Sequence, residues 1–363
     1  YLKNNLKMKK QLFYLALGAV ALSACTSEEI VDVSKQSNAI GFENTVLKQS
    51  RADAQQGDLT VENLDKFLVY GFYTKENQVA NPIQVFGGDA VTKQGSSWTY
   101  SGTRFWVPDA TYSFFAYSCA DVALDNKYGT VGLELNTTGA DRQLHISNYR
   151  CDASHNHDLI YAQAKEIKAL PKTEANPNPN ANVSFQFEHV LTKIDAQFTS
   201  EFSADYDVVI KDVRITNFRN VGNFIKTSGW SDVRRQEENT TMQMEFPTTD
   251  GTGVANSAQT QANKPKTGYY YVIPYAYQFS DVQLTFTIEL YKGTGRTKDD
   301  LVLSRNMEGH WSPNWQQGYY YTYNVTLTGS VANLQPIVFE VAKDMNSWTP
   351  GTSTATDITF SAN

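Results

Sequence analysis

The chain has no run of basic residues: 31 Lys and Arg stand against 38 Asp and Glu, for a formal net charge of −7. That excludes nucleic acid as a partner, because binding phosphates needs a basic face or stripe. It also lacks an apolar run long enough to cross a bilayer. The stretch LFYLALGAVAL at 12–22 is about half the ~20 residues a spanning helix needs, so it is no stable anchor. Missing too are Gly-x-Ser-x-Gly, His-Glu-x-x-His and a phosphate-cradling glycine loop followed by Lys-Ser/Thr. Gly-Thr-Gly-Arg-Thr at 293–297 lies between strand-like runs and reads as a hairpin turn. No catalytic signature remains, and no cofactor or metal is expected. No segment carries apolar residues at helical spacing over three turns, which leaves helical classes without support. Cysteine is scarce, with 3 residues.

What is present begins with the N-terminal segment. Met8, Lys9 and Lys10 precede the 12–22 run, and small residues follow it. These are the parts of a secretory signal peptide, which is set aside from fold reasoning. Cys25 directly follows Leu22-Ser23-Ala24, a pattern that resembles the bacterial lipobox, in which a diacylglycerol joins the cysteine thiol before cleavage in front of it. The expectation is a lipidated N-terminus at Cys25, with Glu28-Glu29 resembling a signal that sends such lipoproteins outward. Residues 1–24 are then upstream sequence and signal peptide, and 25–38 a tether.

The rest of the chain is rich in Tyr (21), Phe (19), Thr, Ser, Asn and Gln, with only 19% charged residues, a balance suited to half-exposed pleated surfaces. Period-two alternation is the strongest pattern. In 281–291, Val282, Leu284, Phe286, Ile288 and Leu290 fall on one face and polar residues on the other. The same alternation recurs in Val131, Leu133 and Leu135, in Tyr321, Tyr323, Val325 and Leu327, and in Ile337, Phe339 and Val341, each bounded by turn residues. Strands with one wet face must bury the other against a second sheet, so the fold class is all-β, built of antiparallel sandwiches.

The segment PKTEANPNPNANV at 171–183 interrupts this pattern and reads as a linker or long surface loop. After it, the alternation changes register near Glu188 to Val190, as a bulge would produce. A boundary near residue 180 follows, with one β-sandwich domain at 39–180 and a second at 181–363. The polar stretch 248–268 reads as a long loop inside the second.

Five blocks taken together, FWVPDATYSFFAY (105–117), HDLIYAQA (157–164), VSFQFEHVLTKI (183–194), YYYVIPY (269–275) and WQQGYYYTYNVTL (315–327), resemble the fimbrillin, or Mfa-like, family of type V pilin lipoproteins of the Bacteroidota. The resemblance implies two transthyretin-like sandwiches in tandem, a non-enzymatic pilin or adhesin role, and display on the outer membrane through a lipid anchor. It implies other pilin subunits as partners through donor-strand exchange, with a host or bacterial surface ligand as a further candidate. It also gives Arg51 a role. The strand-like run at 38–47 places Ile40, Phe42 and Val46 on one face, and Arg51 follows in a polar turn. In pilins of this family a trypsin-like protease cuts after an arginine at the corresponding place, and the departing strand opens a groove that another subunit fills. The tail at 349–363 could be a final edge strand or a donor.

Other candidates carry less. Cys151, His155, His157 and Asp158 are residue types that ligate zinc, but their spacing fits no standard site. His189 is read as packed rather than as an acid or base. Cys119 and Cys151 could form a disulfide or be two small buried hydrophobes. Asn136, Asn239 and Asn324 match the glycosylation pattern, which means little in a bacterial lipoprotein. The competing reading is a surface lipoprotein that holds glycans on exposed aromatics without polymerising, with Trp230, Trp311 and Trp315 as the first residues to test.

Overall fold

A computed structural model describes residues 38–362 apart from 48–58, 60–62, 77–81, 120–128, 136–141, 153–154, 201, 203–204, 237–241, 244–251, 255–269, 279–281, 294, 328, 331–332, 335–337, 343–348 and 351–359. The described residues form strands, turns and short connections, with no helix among them. The protein is all-β.

The first half carries β1 (Phe42–Leu47), β2 (Lys66–Thr74), β3 (Ile83–Gln94), β4 (Ser97–Tyr100), β5 (Thr111–Ser118), β6 (Thr130–Leu135), β7 (Arg142–Arg150), β8 (Ile160–Lys168) and β9 (Val183–His189). Seven of them make one sheet in the order β1-β9-β8-β5-β2-β3-β4. Its neighbours are antiparallel except β1 and β9, which run parallel. Alternation sorts the faces: Phe67 and Val69 of β2, Phe114 and Ala116 of β5 and Phe185 and Phe187 of β9 enter one core. Gly71 of β2 permits this packing, because a Cβ there would press into the rings of Phe114 and Phe86. The sheet curls strongly. Phe42 of β1 and Tyr100 of β4, at its opposite ends, have ring centroids 5.8 Å apart across that core.

The second half carries β10 (Thr192–Ser200), β11 (Tyr206–Thr216), β12 (Val221–Ile225), β13 (Gly229–Arg234), β14 (Met242–Gln243), β15 (Thr252–Val254), β16 (Tyr270–Val272), β17 (Tyr275–Ala276), β18 (Val282–Lys292), β19 (Leu301–Trp311), β20 (Asn314–Trp315) and β21 (Tyr319–Leu327). It closes with β22 (Gly329–Ser330), β23 (Asn333–Leu334), β24 (Val338–Ala342), β25 (Thr349–Pro350) and β26 (Phe360–Ala362). Two sheets face each other here: β16-β10-β21-β24, with β25 beside β21, and β14-β11-β18-β19-β26, with β15 beside β11. Phe198 of β10 meets Phe286 of β18 at 5.1 Å between them. A four-stranded sheet, β13-β12-β7-β6, packs against the seven-stranded one through Tyr161 and Phe224, 5.6 Å apart. Buried apolar residues thus form two clusters, one inside the curled sheet and one beneath the remaining sheets.

The strand β18 realises its alternation, with Val282, Leu284, Phe286, Ile288 and Leu290 buried. The connection from β18 to β19 spans the expected hairpin turn. Two expectations change. The register shift near Glu188 to Val190 is a strand break and not a bulge: β9 ends at His189, β10 begins at Thr192, and the two belong to different sheets. Val190 and Leu191 between them are both fully buried, so the sequence remains apolar through the crossing and the break is masked. β21 was expected to have one wet face, yet Tyr320 and Thr322 are buried beside Tyr321 and Tyr323. Polar partners make that second burial tolerable: the Thr322 hydroxyl donates to Tyr320 Oη at 2.5 Å, and Lys193 Nζ sits 5.4 Å from the Tyr320 ring.

The 171–183 stretch carries no strand before Val183 and joins β8 to β9, neighbouring antiparallel strands of one sheet. Pairing also joins residues on either side of position 180 through β7 and β12.

Candidate functional site

The feature that stands apart is the first strand. Residues 38–47 enter the seven-stranded sheet at its edge, between β9 and the 104–106 segment. On one side Ile40 N–H donates to Arg104 O at 2.8 Å and Trp106 N–H to Asn38 O at 3.1 Å. On the other, Val183 N–H donates to Gly41 O at 2.8 Å, and the parallel pairing with β9 begins at Phe42 and Val183. Tyr100 Oη donates to Ile40 O at 2.6 Å. The backbone is therefore held from both flanks, as the accounting of buried amides requires.

Ile40 and Phe42 supply the apolar contact, in agreement with the face read for them, while the Val46 side chain lies outside the described residues. Phe42 is 4% exposed. Its ring stacks on Phe185 at 5.8 Å and meets Phe67, Phe86, Tyr100 and Phe114 edge-on at 5.5–6.3 Å. Burial of such a side chain contributes about 1.5–3 kcal/mol, and offset or edge-on pairs add to it. The wall opposite β9 is fixed by Arg104, which pairs with Asp89 at 2.5 Å and lies 4.9 Å over the Phe86 ring. Phe42 is a plug in the core, and β1 is its carrier.

Cys25 and Arg51, the lipidation and processing candidates, lie outside the described residues, as do Asn136, Asn239 and the signal segment. In sequence Arg51 falls four residues beyond Leu47, the last residue of β1. At the other end of the chain, β26 sits at the edge of its sheet, Phe360–Ala362 pairing with Gly309–Met307 of β19.

Cys151, His155, His157 and Asp158, the residue types that could ligate zinc, form no such cluster. His155 approaches Cys119 Sγ at 3.6 Å, whereas Asp158 Oδ2 lies 2.8 Å from His189 Nδ1 and accepts from the Leu59 amide at 3.1 Å. Among the described residues no three His, Cys, Asp or Glu side chains gather as a metal site. His189 is packed against Asp158, a structural use. Cys119 and Cys151 are buried and unbridged. Burial pushes both thiols up, Cys151 to about 12, so neither offers a thiolate near neutrality. Trp311 and Trp315 are 3% and 2% exposed, which removes them as sugar-stacking platforms. Each points inward, Trp311 toward Tyr323 at 5.3 Å and Trp315 donating to Tyr323 Oη at 2.8 Å. Trp230 is half-buried and, with Tyr275, Gln316 and Gln317, lines an open cavity of about 520 Å3.

An all-β chain whose first strand plugs its own core, with no described cluster of catalytic groups, falls in the class of sheet proteins held together by an edge strand. Residues 50–357 match the model of the fimbrillin-like family. The chain belongs to that family, whose members are structural fimbrial proteins. A fimbrial protein from Bacteroides vulgatus, known from its crystal structure, is 17% identical, with 84% of this chain and 98% of that one covered and a TM-score of 0.56. The likeness supports the fold. The fimbrial anchor protein Mfa2 from Porphyromonas gingivalis is 8% identical over 86% of this chain and 97% of that one, with a TM-score of 0.33. No curated protein matches the chain.

Proposed function

We propose that this protein is a non-enzymatic pilin or adhesin subunit, exported as a lipoprotein through Cys25, displayed on the outer membrane at the cell surface, and assembled into fimbriae by strand exchange after cleavage at Arg51. The observation that carries the reading is the seating of β1: an edge strand that inserts Phe42 into an aromatic core and joins the sheet by parallel pairing to a single strand, β9.

The energetics favour a tether-controlled switch. A strand of this length gains backbone hydrogen bonds at about 0.5–1.5 kcal/mol each and apolar burial at about 1.5–3 kcal/mol per side chain. A strand of similar pattern from another subunit gains much the same. While β1 is covalently attached its effective concentration is on the order of millimolar, which keeps dilute competitors out. A cut after Arg51, just past the end of β1, removes that advantage. The vacated groove then accepts a strand by edge addition. Other subunits are the partners, the lipid holds unassembled copies at the surface, and a host or bacterial ligand would be met at that surface. Two tandem sandwiches, the fold implied for relatives, suit this use because one can open while the other keeps its core.

The experiment is limited trypsin digestion of the protein lacking residues 1–25, followed by intact mass and native gel electrophoresis. A discrete cut after Arg51 with laddered oligomers is expected. Resistance at Arg51, or a cut that leaves only monomer, would favour the glycan-holding lipoprotein, for which Trp230 and Tyr275 at their open cavity are the residues to substitute in a glycan pull-down.

A further inference from the structure

We propose that the Asn-Pro-Asn-Pro-Asn-Ala-Asn stretch at 176–182 is a latch that holds residues 38–43 in the sheet and sets how fast the first strand can leave. The consequence for assembly rests on the strand-exchange reading, whereas the latch stands on contacts of its own.

Three asparagines spaced two apart reach the same short segment. Asn178 Oδ1 accepts from the Asn38 amide at 2.6 Å. Asn180 Nδ2 donates to Asn38 Oδ1 at 3.0 Å and to Leu170 O at 3.2 Å, while its Oδ1 accepts from the Leu170 amide at 2.7 Å. Asn182 Nδ2 donates to Glu43 Oε2 at 3.3 Å. Asn38 completes the set by donating from Nδ2 to Trp106 O at 3.1 Å, and it sits at φ 67, a left-handed conformation that asparagine tolerates better than most residues.

The path of the chain explains how a loop does this. The chain bends at Pro177 and Asn180, and this path brings the side chains of 178, 180 and 182 to residues 38–43. Pro177, just before the row, and Pro179, within it, fix their own φ, and Pro179 also restricts Asn178, which lowers the entropy lost on keeping the row in place. Gly41 belongs to the same fit, since a Cβ there would collide with the Asn182 side-chain oxygen. The loop therefore reads whatever strand fills the groove: it demands a backbone amide and a side-chain acceptor two residues ahead of the position Ile40 occupies.

Hydrogen exchange with fragment resolution tests this on the chain lacking residues 1–25, comparing the parent with N178A/N180A, with N38G, and with N176A as a control in the same loop. Asn38→Gly keeps the left-handed backbone accessible while removing the side chain. The expected result is exchange at 38–43 about tenfold faster or more in N178A/N180A and in N38G, with β5 and β8 unchanged and N176A like the parent. Combining the two changes should give less than the product of their separate effects, as groups sharing one contact do. Unchanged exchange at 38–43 in N178A/N180A, or an equal rise in β5 and β8, overturns the latch. Trypsin treatment of the same proteins separates the two readings. Faster opening with faster laddering supports both, whereas faster opening with no oligomers in any variant retains the latch and removes strand exchange.

Discussion

The first and last of the described strands both lie at sheet edges, yet they join their sheets differently, β1 parallel to its neighbour and β26 antiparallel. The segment 38–47, which ends in β1, carries Phe42 into an aromatic cluster, is bonded on both flanks at residues 38–41 and is contacted at Asn38 and Glu43 by three asparagines from a loop more than 130 residues away. β26 lies beside β19 through the pairing of Phe360–Ala362. At residues 38–47 the burial of a large side chain and cross-chain polar contacts add to what edge pairing supplies. Under the proposed assembly the strand to be cut free is one held by more than pairing, which suits a protein that remains monomeric until processed.

The largest expected effect comes from removing the plug. Phe42→Ala should lower unfolding stability by about 3–5 kcal/mol, read as a shift of the urea midpoint, while deletion of 358–363 should cost less than about 2 kcal/mol. Equal losses for the two would erase the contrast between the edges. Next is Gly41→Ala, which forces Asn182 aside and should cost about 1 kcal/mol, with faster exchange confined to 38–43. A loss spread over the whole chain would mean that Gly41 serves the core and not the latch.

The smallest effect is one of pH and concerns one buried group in each of the two apolar clusters. Burial raises Cys151 from 9.0 to about 12 and Tyr112 from 10.0 to about 12. Between the unfolded and folded values the native state binds more protons than the unfolded chain, so stability falls as pH rises. A melting temperature that is level at pH 7 to 8 and declines through pH 9 to 12 is expected. A thiol reagent at pH 8 should label Cys119 and Cys151 only after denaturation, and prompt labelling of the native protein would contradict their burial.

Much of the fold was legible because its determinant is local. Alternation at 282–290 needs no knowledge of the partner strand, and the Ile40 and Phe42 face was read the same way. Sites failed where partners are distant in sequence. Proline and asparagine at 176–182 signal a connection, but nothing local says that the asparagines meet residue 38. The pair Trp311 and Trp315 looked exposed because turn residues surround them, and it is Tyr323 that draws them inward. Val190 and Leu191 hide a change of sheet because both cores are apolar. The buried face of Phe42 was legible in the strand pattern, whereas its five aromatic neighbours come from five other strands.

The most direct measurement is competition for the vacated groove. Protein cut after Arg51 is incubated with excess synthetic peptide covering residues 38–47, and oligomers are resolved on a native gel. Suppression of the ladder by this peptide, but not by the same peptide with Phe42→Ala, is the predicted result; an undiminished ladder would show that subunits do not join through the groove of the first strand.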